Sequence, residues 1–257
     1  AMKIWFNKPA ATWNEALPVG NGSLGAMVFG GTARESLQLN EESVWTGAPR
    51  WDANPDARRN LPAVRRLLFE GKYAEAEKLA QNGILGSFKR DNASSYQTLG
   101  DLILDFSNPG SISDYRRELD ISEAVATVTY SSGQTSFRRE VFSSAPDQAL
   151  VMRISADKPG AITFTARISR PGNKALITAS GNLISMSEHV GNGNGVKIET
   201  RLKMLNDGGT VLQGGDSIRI EKANSVIILL TASTDYFASD PSARSEERLE
   251  KVSARPF

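Results

Sequence analysis

The segment from Trp13 to Trp51 holds the densest set of side chains able to engage a ligand. Within it, Asn40, Glu41, Glu42 and Trp45 put an amide, two carboxylates and an indole at the end of an expected strand. Polar groups of this kind hold hydroxyls and a flat ring covers an apolar face, so the set suits a sugar. A plainer reading weighs more on sequence alone. Large aromatics are mostly buried, so Trp45 would fill a core or domain-contact position while the carboxylates cap backbone groups or stay solvated. Asn40, Glu41 and Trp45 are the candidates for substrate binding or for a domain interface.

Two carboxylates are the minimum for hydrolysing a glycosidic bond. Adjacency such as Glu41-Glu42 distinguishes nothing among 29 acidic residues, and on a strand the two side chains point to opposite faces. Asp101, Asp105 and Asp235 are expected to be solvated or capping at strand ends. His189, the only histidine, lies beside Gly191-Asn192-Gly193-Asn194-Gly195 and reads as a surface loop residue. No serine–aspartate pattern joins it in a triad. A single histidine and no cysteine leave too few ligands for a zinc site, and the missing cysteines exclude disulfides and thiol catalysis. No catalytic residue, metal or cofactor is assigned to this chain.

Gly20, Gly22 and Gly25 superficially fit G-x-G-x-x-G. A dinucleotide site is rejected on two grounds: no strand is expected before Gly20, and a β run, Ala26 to Phe29, follows in place of a helix. Asn21-Gly22-Ser23 and Asn92-Ala93-Ser94 match glycosylation sequons, a pattern that arises readily by chance.

The elements that must position these residues are mainly strands. From about residue 98 onward, apolar alternation such as Leu102, Leu104 and Phe106 recurs, separated by turn signals such as Lys158-Pro159-Gly160 and Asn206-Asp207-Gly208-Gly209. Short strands at roughly 8–12-residue spacing indicate a sandwich or barrel, and about a dozen of them favour two large facing sheets. In the strand Thr135 to Phe142, Arg138 to Glu140 reads as solvated. Asn60 to Leu85 is helical instead: Asn60 caps, Pro62 suits the first turn, and Val64, Leu67, Leu68, Tyr73, Ala76, Leu79 and Ala80 form an apolar stripe. Two short helices laid over the sandwich as an insertion are expected, their stripe serving core packing.

The chain's 257 residues suffice for one sandwich domain. A net charge of +1 leaves no electrostatic footprint for nucleic acid or an anionic membrane. No stretch approaches the roughly 20 apolar residues of a membrane span.

Leu17-Pro18-Val19-Gly20-Asn21-Gly22-Ser23-Leu24-Gly25-Ala26-Met27-Val28-Phe29-Gly30-Gly31, followed by Leu37-Gln38-Leu39-Asn40-Glu41-Glu42-Ser43-Val44-Trp45-Thr46-Gly47, resembles the N-terminal domain of glycoside hydrolase family 95, the α-L-fucosidases and related α-L-galactosidases. Further matches are Tyr96 to Leu102, Tyr115 to Asp120, Arg138 to Phe142, Gly193 to Lys197 and Thr234 to Tyr236, so that the ordered set covers nearly the whole chain. The resemblance implies a large antiparallel two-sheet β super-sandwich, which with the short helical insertion read above near residues 60–85 makes the expected fold mainly β. It also implies that residues 1–257 form one N-terminal domain packed on an (α/α)6 catalytic barrel that lies outside this chain. That barrel would carry the acids of an inverting hydrolysis, with carboxyls spaced roughly 6.5–9.5 Å apart.

The partners expected are therefore the barrel of the same parent protein and a carbohydrate substrate, with no nucleic acid and no membrane span. The isolated chain is expected to be inactive. The alternative is a stand-alone carbohydrate-binding module, which would need aromatics aligned on a sheet face or loop rim. Ala1 ahead of Met2 reads as a cloning remnant and the abrupt end at Phe257 as a boundary. Localisation stays open, an export signal trimmed from the parent protein being one expectation.

Overall fold

The computed structural model describes residues 2–48, 53–86, 94–107, 110–237 and 239–255. Trp51, Asn92 and Phe257 lie outside the described residues. The chain divides into two compact units, residues 1–45 with 96–257 and residues 46–95.

The larger unit is built of antiparallel strands: β1 (Lys3–Phe6), β2 (Leu17–Gly20), β3 (Leu24–Val28), β4 (Arg34–Glu41), β5 (Gly100–Phe106), β6 (Ile112–Asp120), β7 (Val125–Ser132) and β8 (Thr135–Ser144). There follow β9 (Ala149–Ala156), β10 (Ile162–Ser169), β11 (Leu176–Ser180), β12 (Leu183–His189), β13 (Lys197–Asp207), β14 (Thr210–Gln213), β15 (Ser217–Ala223) and β16 (Ser225–Thr234). They form a nine-stranded sheet, β1-β6-β7-β8-β9-β16-β13-β12-β11, and a seven-stranded sheet, β14-β15-β10-β5-β4-β3-β2. This is the mainly β, two-sheet sandwich that the turn spacing predicts.

Period-two patterning builds the core. Ile162, Phe164, Ala166 and Ile168 of β10 all face inward, as do Leu37 and Leu39 of β4 and Leu102 and Leu104 of β5. From the other sheet Met152, Ile154, Leu202 and Met204 meet them. β16 departs from alternation, with Val226 and Ile228 to Thr234 all buried, because its outer face is covered too. The cover is a helix, Pro241–Ser253, whose Leu249 and Val252 pack with Ala149, Val151 and Leu229. Asp240 caps it by accepting from the Ala243 N–H at 3.0 Å, and Pro241 stands in the first turn, where its missing N–H costs nothing.

The reading of Arg138 to Glu140 as solvated is corrected at its centre. Arg138 and Glu140 pair at the surface at 2.7 Å, but alternation turns Arg139 inward, where it is fully buried. It bridges the sheets by donating to Glu35 Oε2 at 3.1 Å, to the Gly31 carbonyl at 2.6 Å and to Tyr130 Oη at 2.7 Å. Burial pushes the Glu35 carboxyl upward, and the Arg139 charge pulls it back. A second buried arginine, Arg117 of β6, donates from Nε to the Lys8 carbonyl at 2.8 Å and from Nη1 to the Glu15 carbonyl at 2.6 Å. It thereby fixes the short 3₁₀ turn Trp13–Glu15.

The smaller unit holds helices Ala57–Phe69 and Tyr73–Gly83, the pair expected near residues 60–85. The first begins at Ala57, so Pro62 is interior and Asn60 does not cap; its amide donates to the Gly83 carbonyl of the second helix at 2.9 Å. Val64 and Ala76 are buried between them, whereas Leu68 and Tyr73 of the expected stripe are exposed. No helix among the described residues is long and apolar enough to cross a membrane.

Candidate functional site

A strand does precede Gly20, contrary to the sequence expectation: β2 runs straight into the turn. The dinucleotide reading still fails, because β3 and not a helix follows. The hairpin is tight. Gly20 and Gly25 face each other in register, and a side chain at Gly25 would meet the Val19 carbonyl oxygen at 2.9 Å. Asn21 completes the turn by accepting from the Ser23 and Leu24 N–H groups and donating to the Ser144 carbonyl at 2.9 Å, so the sequon's amide is engaged in the fold.

Beside this hairpin, β4 sends consecutive residues to opposite sides. Glu41 turns inward and is buried, while Asn40 is exposed on the outer face. Two concavities result.

The first, of about 480 Å³, is lined by Glu41, Glu42, Gln148, Thr234, Arg244 and Arg248 among others. Several of its polar groups are already bonded within the protein, the exposed Glu42 carboxylate excepted. Glu41 accepts from the Ser43 N–H at 2.8 Å and from Ser43 Oγ at 2.7 and 3.0 Å, and Ser43 Oγ lies 2.6 Å from Thr234 Oγ1. Arg248 donates to the Ala232 carbonyl at 2.7 Å and Arg244 to the Phe237 carbonyl at 3.1 Å. Burial pushes the Glu41 carboxyl above its usual range against the pull of the Ser43 donors, and burial lowers Arg248.

The second, a groove of about 550 Å³, lies on the outer face of the seven-stranded sheet, with Trp13, Gln38, Asn40, Tyr96 and Asp101 in its lining. Gly25 pairs with Asn40, and Gln38 pairs with both Met27 and Asp101, so these side chains share the solvent-side face across three strands. Trp13 is 57% exposed and Tyr96 40%. The Tyr96 hydroxyl donates to the Glu41 carbonyl at 3.0 Å, and its ring meets Trp45 edge-on with centroids 5.3 Å apart. Asn40 also bonds the Tyr96 hydroxyl.

The three residues singled out from sequence are thus neighbours along the chain but not one constellation. Asn40 lines the groove. Trp45, at 43% exposure, is not a core residue; its indole N–H donates to the Glu42 carbonyl at 3.2 Å. Glu41 belongs to the other hollow. Tyr96 and Trp13 were not chosen from sequence, although Tyr96 stood in a matched motif and Trp13 opened the segment under scrutiny. Asp105 is neither free nor capping, since it pairs with Arg34 and Arg167, each at 2.5 Å. Asp235 accepts from the Lys197 N–H at 2.8 Å, as an end-of-strand cap should. His189 is exposed, its Nε2 3.0 Å from the Gly195 carbonyl.

The sandwich is shared with a solved structure described as a kojibiose phosphorylase from the human microbiome. That alignment has a TM-score of 0.55 at 9% identity and covers 99% of this chain and 36% of that one. At such identity the likeness concerns the fold alone. Sequence goes further: the chain belongs to the family described as glycosyl hydrolase family 65, N-terminal domain, whose model matches residues 4–239. It is 34% identical over 264 residues to Alpha-L-fucosidase 2 of Arabidopsis thaliana, covering 91% of this chain and 30% of that enzyme. It is 28% identical over 260 residues to a protein of Aspergillus niger named as an alpha-fucosidase A, covering 95% of this chain and 32% of that protein. The chain therefore spans about a third of the length of the curated relatives it matches.

Proposed function

We propose that residues 1–257 are the N-terminal sandwich domain of an α-L-fucosidase-like hydrolase of glycoside hydrolase family 95. In this reading the sandwich supports an (α/α)6 catalytic barrel supplied by the rest of the parent protein. The parent reaction is inverting hydrolysis of a terminal α-L-fucosyl or related L-sugar linkage, with water displacing the aglycone directly. One observation carries the reading: the match to the Arabidopsis fucosidase takes in 91% of this chain but 30% of that enzyme, leaving most of the relative to hold the reacting groups.

The geometry supports a supporting role. Both Glu41 oxygens are taken up by Ser43, an arrangement that locks a strand end. Asn40, Glu41 and Trp45 are assigned to the edge where this domain meets substrate or barrel. The test is release of L-fucose from a 2-linked fucosyl oligosaccharide by the parent-length protein and by this chain, assayed side by side. Hydrolysis with inversion by the former alone is expected. Comparable release by the isolated chain overturns the supporting role, and hydrolysis by the parent of some other sugar linkage alone overturns the fucosidase reading.

A further inference from the structure

We infer that the groove on the outer face of the seven-stranded sheet is a saccharide-binding site of this chain, with Trp13 as its stacking platform and Asp101 and Gln38 as its hydroxyl-binding pair. This goes beyond the supporting role above, because it gives this chain a ligand of its own at residues other than those assigned to the barrel, Asn40 alone being shared.

The first argument is the state of its polar groups. Among the described residues, the side chains of Gln38 and Asp101 have no hydrogen-bond or ion-pair partner, and neither does the Trp13 indole N–H. Asp101 is half-buried, and burial alone raises its carboxyl above the usual carboxylate range, with no neighbouring donor pulling it down. A carboxylate, a carboxamide and an indole, none bonded to another described residue, therefore line one concavity with their hydrogen-bonding capacity open to a ligand. Elsewhere on the same sheet the corresponding carboxylate, Asp105, is paired by two arginines.

The second argument is shape. Gly20 and Gly25 remove side chains from the floor beside Asn40, and Cβ at Gly25 is excluded by the Val19 carbonyl. Trp13 lines the same groove from a turn that buried Arg117 clamps through the Glu15 carbonyl, while Glu15 Oε2 accepts from the Ala11 N–H at 2.7 Å. The backbone that carries Trp13 is thus fixed, and its indole is 57% exposed and open to a ligand.

The chemistry that fits is a neutral pyranose. Vicinal hydroxyls donate to the Asp101 carboxylate and exchange bonds with the Gln38 amide, and the C–H face of the ring lies on the indole. A cationic ligand is the weaker fit, since among the described residues Asp101 is the only charged side chain in the groove and the amides and hydroxyls around it are neutral.

The test is calorimetric titration of this chain with 2′-fucosyllactose and with methyl glycosides of L-fucose, D-galactose, D-glucose and D-xylose. Binding of at least one sugar with Kd near about 1 mM is expected. Trp13→Ala and Asp101→Asn should each weaken it about tenfold or more, equivalent to roughly 1.4 kcal/mol. Trp5→Ala, an exposed tryptophan on the other sheet, should leave it unchanged. Gln38→Ala, which removes a carboxamide with no partner among the described residues, gives an independent reading with several-fold weakening. The inference is overturned by absence of heat for every sugar, by heat that survives Trp13→Ala and Asp101→Asn in full, by tighter binding of a lysine peptide than of any sugar, or by a dimer that Trp13→Ala dissolves. Hydrolysis is not read in this experiment, so a parent enzyme that fails to cleave fucosides leaves the result standing.

Discussion

The Glu41 hollow and the Asp101 groove share the Gly20–Gly25 hairpin as a border, and each contains a carboxylate that burial has made harder to ionise. They differ in what surrounds the acid. Around Glu41, Ser43, Thr234, Arg244 and Arg248 have all found partners within the protein, so the buried acid is answered internally and only the exposed Glu42 carboxylate is left to solvent. Around Asp101 nothing among the described residues answers the carboxylate, and an exposed indole lines the same groove. The contrast teaches that a strained acid is a functional signal only when its partners are missing. A raised carboxyl with internal donors is a lock; one without them is an open position.

The comparison breaks most severely at Arg117. Arg117→Ala removes the donors that hold the Lys8 and Glu15 carbonyls and is expected to cost about 3 kcal/mol in urea unfolding. Because those carbonyls flank Trp13, any sugar binding at the groove should disappear with it, while the Glu41 hollow keeps its bonds.

Next comes Ser43→Ala, which strips Glu41 of its hydroxyl donor and severs the link to Thr234, at about 2 kcal/mol near neutral pH. The pH dependence has a definite sign. Glu41 holds its proton more tightly folded than unfolded, so its contribution is fully present below the ordinary value of 4.5 and is lost as pH rises through the raised folded value. Ser43 Oγ favours the charged form, so its removal widens that window. The deficit of Ser43→Ala measured by thermal unfolding should therefore be larger at neutral pH than at about pH 4.

Asp101→Asn should run the other way. Removing a half-buried charge that no described residue pairs is expected to raise stability near neutral pH by up to about 1 kcal/mol while weakening sugar binding. A loss of stability would mean that the carboxylate does have a structural partner. The smallest effect is its pH signature: wild-type stability attributable to Asp101 falls as pH rises above its ordinary 3.8, and Asp101→Asn should flatten that part of the profile.

The strands were legible in the sequence because alternation and turn chemistry are local. Ile162 to Ile168 and Leu102 to Phe106 announce which face is inward without knowledge of what they pack against. Three features were not legible for a shared reason. Arg117 and Arg139 occupy inward positions of alternating strands, yet their type argues for solvent, and only the carbonyls and the Glu35 carboxylate brought from distant strands explain them. The helix Pro241–Ser253 carried a readable start in Asp240-Pro241, but its buried stripe is narrow, Ser245, Leu249 and Val252, and its need arises from the outer face of β16.

In the candidate site, alternation along β4 separates Glu41 from Asn40, one buried and one exposed. But β4 ends at Glu41, so the expected separation of Glu41 from Glu42 does not apply: Glu42 lies in the turn and lines the same hollow. Alternation could not show that Trp13, Gln38 and Asp101, far apart in sequence, line one groove. Asp101 in particular read as an ordinary solvated strand-end acid. Nothing local distinguishes it from Asp105, which two arginines satisfy.

The contrast between the two concavities is tested most directly by nuclear magnetic resonance mapping of the chain titrated with the saccharide that binds best in calorimetry. Shifts should concentrate at the Trp13 indole N–H, the Gln38 side-chain amide and the backbone amides of Thr98 and Asp101, with Ser43 and the Arg244 and Arg248 side chains unmoved. Shifts centred on Ser43, Thr234 and Arg248 with a silent Trp13 would contradict the contrast, because the hollow whose acid is already bonded by Ser43 would then be the one that takes the ligand.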